Sequence, residues 1–154
     1  MKNVFRWLLV PSLGLLTASS ALAQAPANDN FANAITLNGP IVTTMGSNVG
    51  ATKPFGGPGG GEPSIPGPFP GSFGGASVWW NWTAPANGLV RLFSQQAVIV
   101  YSGDSVTSLT NVSDPSRRYY GNLSFVARAG VTYRIAVYSP YVQPFQLFLS
   151  APAA

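Results

Sequence analysis

Three observations predict an all-β protein, with two sheets packed face to face. No window of residues 24–154 carries apolar residues at helical spacing through three turns. Short runs of β-branched and aromatic residues recur instead, divided by Gly, Pro, Asn and Ser, the composition of strands separated by turns. Within several runs the apolar residues alternate with polar ones, which sorts side chains onto two faces of a strand.

In chain order, "AITL" (34–37), "IVTTM" (41–45) and "SNVGAT" (47–52) are short strand candidates. "SVWWNWT" (77–83) sets Val78, Trp80 and Trp82 on one side and Trp79, Asn81 and Thr83 on the other. The first set is uniformly apolar and belongs inside, where each indole removes on the order of 200 Å² from water. "LVRLFS" (89–94) follows, then "AVIVYS" (97–102), whose unbroken apolar run suits a central strand, and "LTNVS" (109–113). In "NLSFVAR" (122–128) Leu123, Phe125 and Ala127 face inward; in "TYRIAVY" (132–138) Tyr133, Ile135 and Val137; in "FQLFLSA" (145–151) Phe145, Leu147 and Leu149. Strands with one consistent apolar face are what two stacked sheets require. "APANG" (84–88) and "AG" (129–130) read as hairpin connections, glycine supplying the positive φ of a tight turn.

The N-terminus reads as an address. Lys2 and Arg6 precede the apolar run "WLLVPSLGLL" (7–16), and "ALA" (21–23) offers small residues for cleavage between Ala23 and Gln24. The run is shorter than the roughly 20 residues of a membrane span. Residues 1–23 are thus expected to be a signal peptide, 24–33 a lead-in and 34–151 a single domain of a secreted or periplasmic protein with no stable membrane span. The chain has no cysteine, so neither disulfides nor lipid attachment at a cysteine can occur, and no histidine. Removing Lys2 and Arg6 from eight basic residues leaves six against four acids, a net charge of +2. Only Arg117 and Arg118 are adjacent, and nucleic-acid binding, which needs clustered cations, is not expected.

One segment departs from the strand pattern. Residues 56–75 hold nine glycines and five prolines and read as a long loop. Ile65, Phe69 and Phe73 recur in it every four residues. They could pin the loop over Trp79, the indole on the outward side of its strand; alternatively Trp79 is an exposed aromatic surface for a ligand, or the loop is a mobile tether.

Catalytic chemistry finds little support. Without His or Cys the common nucleophile–base pairs lack both base and thiol. Asp104 and Asp114, the closest acids in sequence, are weak metal candidates whose simpler roles are turn-forming: Asp104 in "SGDSV" accepting a backbone N–H, Asp114 preceding a proline. Asp29 and Asn30 read as a loop fixing the first strand beside Phe31. "RRYYGN" (117–122) and "YSPYVQPF" (138–145) bring Arg117, Arg118, Tyr119, Tyr120, Tyr138 and Tyr141 into two turns. Tyr and Arg are the residue types that carry recognition, though tyrosines also close the ends of sandwiches. With Trp79 these form the candidate ligand-binding set.

In order along the chain, "ANDNFANAITL" (27–37), "GSNVGATK" (46–53), "GGASVWWNWTAPANGLV" (74–90), "VYSGDSVTSLTNV" (100–112) and "SFVARAGVTYRIAV" (124–137) resemble the bacterial pre-peptidase C-terminal (PPC) domain over nearly all of residues 27–150. The resemblance implies a jelly-roll-like β-sandwich without catalytic activity of its own, of a kind that accompanies secreted peptidases and in some cases binds calcium or matrix polymers. Members tend to carry an acidic stretch after the "GATK" block, where this chain keeps only Glu62; at two further acidic positions it has Gln95 and Gln96, and Tyr138 and Ser139. Calcium wants six to eight oxygens, several of them carboxylates, so a calcium site is disfavoured and no cofactor is expected.

The expected function is therefore a non-catalytic, exported binding or interaction module whose partner is a polysaccharide, the cell envelope or another secreted protein. The alternative is a structural or adhesive component associating through a sheet edge or the Gly/Pro-rich loop. An accessory role beside secreted peptidases ranks third. Nothing in the sequence sets the oligomeric state.

Overall fold

The computed structural model describes residues 24–52, 76–113, 121–139 and 141–154. The expected signal peptide, the 56–75 loop, Asp114 and the Arg117–Tyr120 turn lie outside the described residues. Among the described residues nine strands form: β1 (Ile35–Leu37), β2 (Ile41–Ser47), β3 (Ala76–Thr83), β4 (Gly88–Ser94), β5 (Ala97–Ser102), β6 (Thr110–Asn111), β7 (Gly121–Ala127), β8 (Thr132–Ser139) and β9 (Pro144–Ser150). Two single 3-10 turns, Phe31–Asn33 and Val106–Ser108, are the helical elements among the described residues.

The strands make a five-stranded sheet in the order β1-β3-β8-β5-β6 and a four-stranded sheet in the order β2-β9-β4-β7. All pairings are antiparallel except β1 with β3. The alternation read from sequence holds strand by strand. Val78, Trp80, Trp82, Tyr133, Ile135 and Val137 from one sheet meet Val90, Leu92, Leu123, Phe125, Phe145, Leu147 and Leu149 from the other in one buried core. β5 lies between β8 and the two-residue β6 and is buried on both faces, as its unbroken apolar run requires.

Packing between the sheets is close. The Trp80 indole meets the Phe145 ring edge-on at 5.9 Å between centroids. It is seated over Gly46 of β2, where a Cβ would lie 2.7 Å from Phe145 and 2.8 Å from Trp80. Trp82 donates its indole N–H to the Gly39 carbonyl at 2.9 Å, which meets the demand of a buried indole for a partner. Tyr133 lies 4.8 Å from the Phe125 ring, and its hydroxyl accepts the Arg128 N–H at 2.9 Å.

Several connections differ from expectation. Residues 84–88 and 129–130 are not hairpins: the first carries the chain from β3 to β4, the second from β7 to β8, and both pass from one sheet to the other. Strand alternation identifies which side chains face inward but is silent on which strands pair. At the first crossing Gly88 takes φ +145°, and a Cβ there would strike Pro152 at 2.7 Å. Of the strand expected over 47–52 only Ser47 is extended, as the end of β2; the chain then turns, closed by the Ala51 N–H on the Asn48 carbonyl. The strand expected over 109–113 shortens to Thr110–Asn111 because Ser113 turns back, its N–H and hydroxyl both donating to Asn111 Oδ1.

Candidate functional site

The outer faces of the two sheets determine what the molecule can offer a partner. On the five-stranded sheet the outward residues of β3, β8 and β5 gather into a second, smaller core. Trp79, Ile99, Tyr101, Ala136 and Tyr138 are buried there, with Phe31, Ala34, Ala97 and Leu109 packed against them. The lead-in makes this cover. The Trp79 N–H donates to the Asn28 carbonyl at 2.9 Å, and Asn28 Nδ2 donates back to the Trp79 carbonyl at 3.0 Å. Asp29, also buried, accepts the N–H and the hydroxyl of Thr52 at 2.7 and 2.9 Å. Phe31 thereby sits edge-on to the Trp79 indole at 5.3 Å. Arg134 holds the far side, its guanidinium 5.3 Å over the Phe31 ring, Nε donating to the Gly103 carbonyl and Nη2 paired with Asp104 at 3.1 Å.

This arrangement corrects the alternative in which Trp79 is an exposed ligand surface, and the ligand-binding role expected of Trp79 and Tyr138. They are 0 % and 1 % exposed, because the outward side of their strands is covered as thoroughly as the inward side. Trp79 Nε1 is buried with no hydrogen-bond partner among the described residues. Asp104 is not the turn's cap: Ser105 takes that place, its hydroxyl accepting the Thr107 N–H, and Asp104 faces solvent beside Arg134. Among the described residues no three His, Cys, Asp or Glu side chains converge as a metal would need. Among the described residues of the expected ligand set, Tyr141 stays outside, at 76 % exposure. Its backbone is held at one end of the sandwich by Asn48, fully buried, whose Nδ2 reaches the carbonyls of Ala76, Ser139 and Tyr141 and whose Oδ1 accepts the Gln143 N–H.

The four-stranded sheet presents a different outer face. Its register sets Thr43, Phe148, Phe93 and Asn122 in one row across the four strands and Ile41, Ser150, Arg91 and Ser124 in the next. Leu89 and Val126 form the row beyond. Ile41, Met45, Leu89, Phe93 and Val126 are exposed large apolar side chains on this face. Toward β7 the face holds a shallow cleft of about 420 Å³, lined by Leu89, Arg91, Leu92, Asn122, Leu123 and Ser124. That volume falls in the range of small-ligand sites. Arg91 makes no ion pair among the described residues, and its planar fork of five N–H donors lines the cleft together with the amide of Asn122 and the hydroxyl of Ser124. Sequence reasoning passed over these residues because Arg91 is a lone cation and Asn122 and Ser124 look like the solvated side of a strand; only their pairing across β4 and β7 places them together.

Comparison of the chain with protein-family models, with curated proteins and with solved structures finds no match.

Proposed function

We propose that this chain is an exported, non-catalytic β-sandwich of the PPC type that binds an extracellular or envelope polysaccharide on the outer face of its four-stranded sheet. The observation that carries the proposal is the cleft around Arg91 on the one sheet face left uncovered among the described residues. Guanidinium, amide and hydroxyl groups in neighbouring register positions are the donors and acceptors that sugar hydroxyls and uronate carboxylates use. Phe93, beside Asn122 in register and partly exposed, adds a ring against which a sugar face can pack. The basic and apolar residues before Ala23, followed by "ALA", support export with cleavage ahead of Gln24. Jelly-roll topology is supported by the chain's path, since every step between consecutive strands except β5 to β6 passes from one sheet to the other. The lack of His and Cys supports a binding role over catalysis.

Retention on insoluble polysaccharides, one acidic and one neutral, tests the proposal. The protein is expected to be retained more strongly on the acidic polymer, and Arg91→Ala and Asn122→Ala are each expected to weaken retention at least roughly tenfold, a loss of about 1.4 kcal/mol, with the melting temperature unchanged. Retention indifferent to both substitutions would remove the cleft from consideration. No retention on either polymer would turn the search toward a secreted protein partner on the same face.

A further inference from the structure

We infer that two copies of this protein pair through the free edge of β2, joining their four-stranded sheets into one continuous sheet across a two-fold axis at Thr43. β2 is an edge strand, bonded to β9 alone among the described strands. The Ala151 N–H donates to the Pro40 carbonyl at 2.8 Å, so Pro40 and Ala151 are a bonded pair of the ladder. Bonded and unbonded positions alternate along an antiparallel strand. Val42, Thr44 and Gly46 therefore direct their backbone groups at β9, and Ile41, Thr43 and Met45 direct theirs away from the sheet.

That free edge is self-complementary. An antiparallel copy centred on Thr43 sets Thr43 against Thr43 of the second copy and Ile41 against its Met45, each residue donating and accepting once. Such a contact is isologous and closes at a dimer. On the outer face it pairs two threonines, a favourable cross-strand combination, and covers Ile41 and Met45, now 69 % and 67 % exposed. Nothing in residues 41–47 opposes it: the strand has no charge and no proline, the residues that ordinarily guard an edge. The other edges fit a second copy less well: β1 and β6 have three and two residues, and Arg128 directly follows β7, a charge of the kind that guards an edge.

This association is separate from the polysaccharide cleft, which sits at the opposite edge of the sheet. Sedimentation velocity over a hundredfold range of protein concentration measures it. The unaltered protein is expected to shift from monomer to dimer, and Thr43→Lys, which sets two ammonium groups against each other on the axis, to remain monomeric throughout. Thr43→Pro removes an N–H that bonds only across the axis and is expected to abolish the dimer too; Thr36→Lys, on the exposed side of β1, is expected to leave it intact. Thermal melting identifies any variant that fails to fold, and Thr43→Lys alone then carries the test. An unaltered protein that stays monomeric, or a dimer that survives Thr43→Lys, overturns the inference.

Discussion

On the outside of the five-stranded sheet Trp79, Ile99, Tyr101, Ala136 and Tyr138 lie buried, roofed by Phe31, Ala34 and Leu109, while on the outside of the four-stranded sheet Ile41, Met45, Leu89, Phe93 and Val126 lie in solvent. Both faces carry large apolar side chains, so hydrophobicity alone does not decide which is sealed. What differs is the supply of chain and of bonds to hold it. The lead-in reaches β3 with two backbone-directed bonds at Asn28 and a buried carboxylate at Asp29 holding Thr52, and Arg134 anchors the other margin. No described segment does this for the four-stranded sheet. A face becomes core when polar groups fix a cover over it; without one it is available for recognition.

The sharpest way to break the comparison is to make the same kind of truncation on each side. Trp79→Ala is expected to cost on the order of 3–5 kcal/mol, as for a large aromatic removed from a core, and Phe93→Ala under about 0.5 kcal/mol, as for a surface change. Urea unfolding monitored by circular dichroism measures both. Equal losses would mean that the two faces are equally covered. Asn48→Ala comes next. It strands the carbonyls of Ala76, Ser139 and Tyr141 and the N–H of Gln143 at a buried point, and leaving such groups unpaired costs about 1–3 kcal/mol. Asn48→Asp should be no milder, since a carboxylate accepts the Gln143 N–H but donates to none of the three carbonyls.

The residues that explain the fold were unequally visible in the sequence. Inward faces of β3, β7, β8 and β9 were legible because period-two alternation is a direct consequence of strand geometry, and each read correctly down to Trp80, Leu123, Ile135 and Leu147. Sheet membership was not legible: "APANG" has hairpin composition, yet Gly88 folds the chain onto the other sheet against Pro152. The outward set Trp79, Ala136 and Tyr138 looked like a half-exposed face, since nothing local announces that a segment some fifty residues earlier in the chain will lie across it. Asn48 was missed for the same reason, its partners being 28 to 95 residues away. The cleft at Arg91 depends on β4–β7 register, which a single strand cannot disclose.

Gly46→Ala probes the interior that both faces share. Its Cβ would meet the Trp80 and Phe145 rings well inside van der Waals contact, and the neighbours are packed core, not mobile ends. Overpacking of this kind costs about 1–3 kcal/mol, so urea unfolding should show a lowered midpoint with an unchanged slope.

The smallest expected effect on stability is the most telling about function. Leu89→Ser combined with Val126→Thr removes apolar surface from the row beyond Arg91 without touching the core, because both side chains point to solvent and face each other across β4 and β7. The melting temperature should move little, surface changes being within about ±0.5 kcal/mol. Retention on an acidic polysaccharide should nonetheless fall, since Leu89 forms part of the wall of the cleft. The matching pair on the covered face, Ala136→Ser with Ile99→Thr, puts two hydroxyls into a buried, mainly apolar cluster, and it should lower stability while leaving retention as it was. If instead both pairs lowered stability alike and neither altered retention, the contrast between an open and a covered face would fail.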